Sequence, residues 1–217
     1  MCPLYVCPPA TAIPDISTAV CLQDFGQIQK AAFMRQYASA GVKNEFTTTG
    51  AGDIKLLASW TAYLAAAAAT KVQVTPEIEN PVTVPGAAKT VGGGNATLGG
   101  ITKNRGSEPT SQTYDLNAYN QAIIAELKEF QSEFSLGVFL FNQYGQIGCL
   151  TDDIGTPTAY YPIPIAKQTF FIGDKKLGGL DEEDMNLMTW QFMPGWSDYF
   201  VVVSPTDFSP LTDLVNP

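Results

Sequence analysis

The 217-residue chain contains no histidine. That absence removes the commonest general base and the commonest metal ligand, and with them the Ser-His-Asp and Cys-His arrangements. Carboxylate chemistry stays open. Charge is also scarce: 15% of the residues are charged against 45% hydrophobic. A lone soluble domain usually carries more charge, so this composition fits a surface partly covered by neighbours. Net charge is −9. Gripping nucleic acid needs clustered Lys and Arg, which an acidic chain is poorly supplied with, whereas an acidic wall lets nucleic acid slide past without sticking.

Other absences narrow the field further. Cys2, Cys7, Cys21 and Cys149 form no CxxC pair, so they read as small buried or incidental thiols rather than zinc or redox ligands. The Ala-rich run 56–69 includes Ser59 and Thr61 and falls short of the roughly 18 residues that a membrane span needs. The start, MCPLYVCPP, lacks the basic and continuous apolar regions of a signal peptide. No membrane partner, cofactor or metal is expected.

What is present is punctuated by proline and glycine. Pro3, Pro8, Pro9 and Pro14 argue that residues 1–22 form an extended arm, because proline removes donors and restricts its predecessor. The arm carries Tyr5, Ile13 and Ile16, apolar side chains that need cover from the chain itself or from a neighbour. Residues 23–217 read as one domain. Within it, 25–37 leans to a strand, 53–68 to a helix capped by Asp53, and 71–75 to a strand. The clearest element is 115–133 (DLNAYNQAIIAELKEFQSE), followed by Phe134. Leu116, Tyr119, Ile123, Leu127, Phe130 and Phe134 recur at steps of three and four, which predicts a helix of about five turns capped by Asp115. Short strand-like runs follow: a hairpin over 136–150 with NQYG as its turn, then 161–165, 169–172, 188–193 and a buried strand at 199–203. The last stretch, PTDFSPLTDLVNP, reads as a tail. The expected class is α+β: a mainly antiparallel β-sandwich or small barrel with one long packed helix, an extended N-terminal arm and a long Gly/Pro-rich loop.

That loop, residues 76–113, shows no helix or long strand in its pattern. It is too long to be idle in a compact domain, and Val82, Val84, Val91, Leu98 and Ile101 make it too apolar for a solvent linker. An arm or hairpin ordered by neighbouring subunits is the favoured reading; a disordered linker is the other. Its GGGNATLGG fits neither phosphate-loop pattern. Candidate chemistry is thin elsewhere. Asp181, Glu182, Glu183 and Asp184 lack the spacing of a calcium loop, adjacent Asp152 and Asp153 do not converge as a dyad, and Ser197 has no histidine to activate it. Trp190 and Trp196 suit a core or interface, or a sugar platform in a glycan- or small-ligand-binding β-domain.

Three stretches together resemble a family: IPDISTAVCLQDFGQIQKAAFMR (13–35), ENPVTVPGAAKTVGGGNATLGG (79–100) and GGLDEEDMNLMTWQFMPGWSDYFVVVSPTDFSPLTDL (178–214). They look like virion structural proteins of phages of gut Bacteroidetes-type bacteria, and the plan resembles a phage tail tube protein. The resemblance implies hexameric rings that stack, a long loop gripping the next ring, other virion proteins as partners and DNA in transit without specific binding. It also implies a place in the virion after assembly in the bacterial host cytoplasm, and no catalytic residue. Another virion part, such as a capsid decoration, head-fibre or connector protein, is the alternative. Interface candidates, chosen for apolar content in exposed segments, are Tyr5, Ile13, Ile16, Val82, Val84, Val91, Leu98, Ile101 and Trp196.

Overall fold

A computed structural model describes residues 24–217. In chain order the strands are β1 Ile28–Arg35, β2 Tyr37–Ser39, β3 Val42–Lys43, β4 Phe46–Thr47, β5 Val72–Val74, β6 Glu79–Val84, β7 Ala88–Gly94 and β8 Gly100–Ser107. Then come β9 Thr110–Asn117, β10 Leu136–Asn142, β11 Ile147–Thr151, β12 Ala159–Tyr161, β13 Ile163–Pro164, β14 Phe171–Lys176, β15 Met185–Phe192 and β16 Phe200–Val203. Helix α1 is Leu57–Leu64 and α2 is Gln121–Glu129. The mainly antiparallel α+β class expected from the sequence is what is found.

The larger sheet runs β4-β12-β11-β10-β1-β5, with β13 on β10 and β16 on β11. Its centre is the antiparallel pair of β1 and β10, which runs from Ile28 opposite Asn142, through a one-residue shift before Lys30, to Arg35 opposite Leu136. Every residue of β10 is buried, and a strand covered on both faces must have a layer on each side. On one face Ala31, Phe33, Leu136, Val138 and Leu140 meet the second sheet, β14-β15-β9-β6, and helix α2. Trp190 is the hub there: its ring lies 4.6 Å from Tyr114, 5.7 Å from Phe33 and 6.1 Å from Phe170. On the other face Ala32, Met34, Phe139 and Phe141 meet α1 and the C-terminal segment, through Trp60, Leu64 and Leu214.

Several elements differ from the sequence reading. Residues 115–117, expected as the first turn of a helix, instead close strand β9, which runs Thr110–Asn117. Tyr114 and Leu116 point into the sandwich on its alternating pattern. Ala118, at φ 55°, breaks the strand. The cap of α2 is Asn120, whose side chain accepts from the Ile123 N–H at 3.1 Å, so Asp115 caps nothing. Ile124 and Leu127 are the helix's buried residues, and Phe134 lies beyond it, 61% exposed. α1 is shorter than expected at both ends; Asp53 accepts from the Lys55 N–H in the turn before it, and the Leu57 N–H is bonded instead by Asp207 at 2.9 Å. Strand β16 is half-buried at all but its last position. The closing segment is no loose tail. Lys30 Nζ donates to the carbonyls of Leu211 (3.1 Å) and Leu214 (2.8 Å), and the Asn216 amide pairs with both backbone groups of Val74.

Two predictions follow from this packing. Trp190→Ala removes the hub ring from a core site 1% exposed and is expected to cost about 3–5 kcal/mol in urea unfolding. The second concerns Glu133, which accepts a two-pronged bond from Arg35 at 3.0 and 2.6 Å and ties the turn that follows α2 to β1. The hydrogen bond from Arg35 holds the Glu133 carboxyl below its ordinary value of 4.5. A depressed carboxylate stabilises the fold above its unfolded pKa, and that contribution is lost as pH falls through the folded value. Wild type is therefore more stable than Glu133→Gln at pH 7, by about 1 kcal/mol for so exposed a pair. The gap closes as the pH drops below about 4.5.

Candidate assembly surface

The loop expected to lack long strands is a β-structure. β6 and β9 pair as part of the second sheet, from Glu79 opposite Asp115 to Val84 opposite Ser111. From their far ends springs a separate ribbon, β7 paired with β8 from Ala88 opposite Ser107 to Gly94 opposite Gly100. GGGNATLGG is the tip of this ribbon. Gly92, Gly93 and Gly94 all have positive φ, at 90°, 105° and 53°, a backbone that other residues adopt only with strain. Thr97 Oγ1 closes the tip, accepting from Gly93 N at 3.0 Å and donating to Ile101 O at 2.6 Å.

Every residue of β8 is exposed, and every residue of β7 but Gly93. An isolated two-stranded ribbon is marginal in water, and this one has no sheet or helix beneath it among the described residues. Val91, Leu98 and Ile101 stand on it, Leu98 wholly exposed. Val82 and Val84, at the base on β6, are about half exposed. The ribbon also departs from the rest of the chain in charge. It carries Lys89, Lys103 and Arg105 and no carboxylate, so with +3 here and −9 in total the remainder carries −12.

A groove of about 790 Å³ lies between α2, β5 and the C-terminal segment, with Ile123, Leu127, Phe130, Leu211 and Val215 among its walls. Of the charged groups lining it, Glu133 is paired with Arg35 and Lys30 is bound to carbonyls. That leaves Glu77, Glu126 and Glu129 against Lys71 on the rim. The second sheet is open at both edges, β6 and β14. The outward residues of its two central strands are Ser111, Thr113, Asp115, Asn117, Met185, Leu187, Thr189 and Gln191, which include one carboxylate and no cation.

The other candidates that fall among the described residues resolve into structural roles. Tyr5, Ile13 and Ile16 lie outside the described residues, as do Cys2, Cys7 and Cys21. Trp196 is half-buried beside Phe192 and Phe200, at 4.7 and 5.5 Å, with its Nε1 donating to Thr110 Oγ1 at 3.1 Å. Trp190 is sealed in the core, so the two do not form a surface platform. Asp152 accepts from Thr158 N and Ala159 N, and from the Thr158 hydroxyl. Asp153 accepts from Gly155 N and the Thr156 hydroxyl. These bonds hold both carboxyls below the usual carboxylate range and close the loop 152–158. In the acidic run, Glu182 pairs with Lys176 at 2.7 Å. Asp184 lies 3.8 Å from Lys175 and accepts from Gly178 N. No cluster of three or more potential metal ligands occurs among the described residues. Cys149 is buried, and burial raises its thiol pKa far above the ordinary value, which leaves it inert. No described helix is long and apolar enough to cross a membrane.

No protein-family model and no curated protein matches the sequence. Among solved structures, one chain from the tail of an empty GTA particle with C6 symmetry aligns at a TM-score of 0.33 and 10% identity. The alignment covers 63% of this chain and 87% of that one. A score that low does not show a shared fold, and the likeness carries no argument.

The only sequence signal for the ribbon is the pair of short β-branched steps Thr90–Val91 and Ile101–Thr102 on either side of the glycines. A Cβ at Gly86 would sit 1.8 Å from the Glu108 carbonyl oxygen, at the ribbon's neck. Gly86→Ala is therefore expected to splay the neck. Hydrogen exchange should quicken across residues 88–107 while the free energy of urea unfolding changes by no more than about 0.5 kcal/mol.

Proposed function

We propose that this chain is a structural, self-assembling virion subunit of the tail tube type, which forms rings that stack around a passage for DNA. The observation that supports it best is the β7–β8 ribbon: ordered, uncovered, apolar at its tip and opposite in charge to the rest of the chain. A second copy supplies what the ribbon lacks. Its groove beside α2 offers apolar walls for Leu98 and Ile101 and the carboxylates of Glu77, Glu126 and Glu129 for Lys89, Lys103 and Arg105. A ribbon-to-groove contact is head-to-tail, so it propagates from copy to copy rather than closing on itself in a pair.

Ring closure falls to the open edges of the second sheet. Pairing β14 of one copy with β6 of the next removes both exposed edges. The hydroxyl- and amide-rich outer face of β9 and β15 would then line the passage; it is only weakly acidic, with one carboxylate per copy rather than the strongly acidic lumen expected, and its lack of cations leaves DNA nothing to adhere to. Six subunits per ring is what the sequence resemblance implies. In this reading the chain is not an enzyme, needs no cofactor or membrane, works in the virion beside other virion proteins and is assembled in the host cytoplasm.

Negative-stain electron microscopy across a concentration series tests the proposal. Stacked rings or tubes with a central hole are expected. The variant Lys89→Glu/Lys103→Glu/Arg105→Glu should stay folded by circular dichroism yet form no stacks. Raised salt should also shorten the wild-type stacks, because exposed charge contacts are screened over about 8 Å at physiological ionic strength. Isolated particles at every concentration would turn the assignment toward a capsid decoration, head-fibre or connector protein.

A further inference from the structure

The open edges of the second sheet match each other in direction, level and chemistry. All three of its ladders are antiparallel, so in the order β14-β15-β9-β6 the two edge strands run in opposite directions. Rotation about a ring axis lying along the strands keeps each strand's sense. β14 of one copy therefore meets β6 of the next as an antiparallel pair, and every ladder around the ring is alike. An odd number of strands would force a parallel pair at each junction, which is slightly less stable per residue.

The side chains agree as well. Phe171 on β14 lies opposite Thr189, Thr189 opposite Thr113, and Thr113 opposite Val82 on β6. These four make one row across the outer face, with an exposed apolar side chain at each end: Phe171 is 54% and Val82 50% exposed. Toward the other end of the strands, Lys176 lies opposite Met185, on the same outer face. Met185 in turn lies opposite Asn117, whose Nδ2 donates to Glu79 on the β6 edge at 2.7 Å. Lys176 has a partner of its own in Glu182, but so exposed a pair is worth little and leaves the ammonium group able to exchange partners. Each edge strand also carries one extra residue at a similar level. β14 takes three steps from Ile172 to Lys175 where β15 takes two, and β6 takes three from Glu79 to Val82 where β9 takes two. A bulge bends its strand and blunts an edge against straight partners, whereas two edges that bend at the same level stay in step. Like edges do not fit: antiparallel pairing of β14 with itself sets Phe171 beside Lys176, and of β6 with itself sets Val84 beside Glu79.

We propose that β14 of one copy and β6 of the next pair in a single register, with Phe171 against Val82 and Lys176 beside Glu79. This rests on the ring reading above and specifies its lateral contact. The first test is Phe171→Cys/Val82→Cys in a Cys2→Ser/Cys7→Ser/Cys21→Ser background, which leaves the buried Cys149. Within one copy the two positions are three strand spacings apart, about 14 Å. That exceeds the roughly 7 Å that a disulfide spans, so a bond between them joins two copies. Mild oxidation should give covalent oligomers beyond the dimer, with peptide mapping to 171–82 bonds, and either cysteine alone should give none. Phe171→Cys/Glu79→Cys should link at about a tenth of the rate or less, because its positions are out of register. Rings seen by electron microscopy without the 171–82 bond, or with equal linking at 79, overturn the register and leave the ring reading standing. An absence of rings overturns both. The second test uses charge and no cysteine. Lys176→Glu and Glu79→Lys should each lower ring yield severalfold by setting like charges together, and an equimolar mixture should restore it, because every junction of an alternating ring then pairs opposite charges. A mixture that assembles no better than its parts overturns the proposal, since Lys176 and Glu79 are then not neighbours across the junction.

Discussion

Burial of β1 and β10 on both faces is the constraint from which the rest of the architecture follows. A strand pair with Phe33 and Val138 on one side and Met34, Phe139 and Phe141 on the other cannot rest against water on either face. One face recruits the second sheet and α2, the other recruits α1 and the chain's end. Lys30 shows how far this goes: a β1 lysine, buried enough to lower its pKa, spends its ammonium group on two carbonyls of the C-terminal segment. Once the central pair is covered, the smaller sheet is left with two open edges and a polar outer face, and the β7–β8 ribbon is left with nothing to lie on. The surfaces assigned to assembly are those that the core does not use.

Charge follows the same division. The body is acidic and its carboxylates are largely spent on local work: Asp152 and Asp153 close a loop, Asp207 caps α1, and Glu133 fastens α2. The ribbon holds a quarter of the chain's cations and none of its acids. Self-association through oppositely charged parts of identical copies gives orientation as well as attraction, because ribbon-to-ribbon contacts repel.

Much of the fold was legible in the sequence, and the errors have physical causes. The β10–β11 hairpin, β1, β5 and β15 were readable because their apolar runs or alternations are bounded by turn residues. The start of α2 was not, because Leu116 and Tyr119 satisfy a helical spacing while Tyr114 and Leu116 also satisfy a strand's, and the left-handed Ala118 that decides between them leaves no mark on the pattern. β7 and β8 were missed because a strand exposed on both faces shows no alternation. The order of the C-terminal segment was invisible because it rests on contacts with Lys30 and Val74, far off in sequence. Of the interface candidates, Val82, Val84, Val91, Leu98 and Ile101 cluster on or beside one ribbon, while Trp196 is committed to its own aromatic neighbours.

Sedimentation velocity on two proteins tests the central claim most directly: the natural chain, and one in which residues 88–107 are replaced by a short turn. The account predicts that the natural chain forms larger species as concentration rises, whereas the shortened chain keeps its urea stability and does not stack. A shortened chain that builds the same stacks, or a natural chain that stays a monomer throughout, would contradict it.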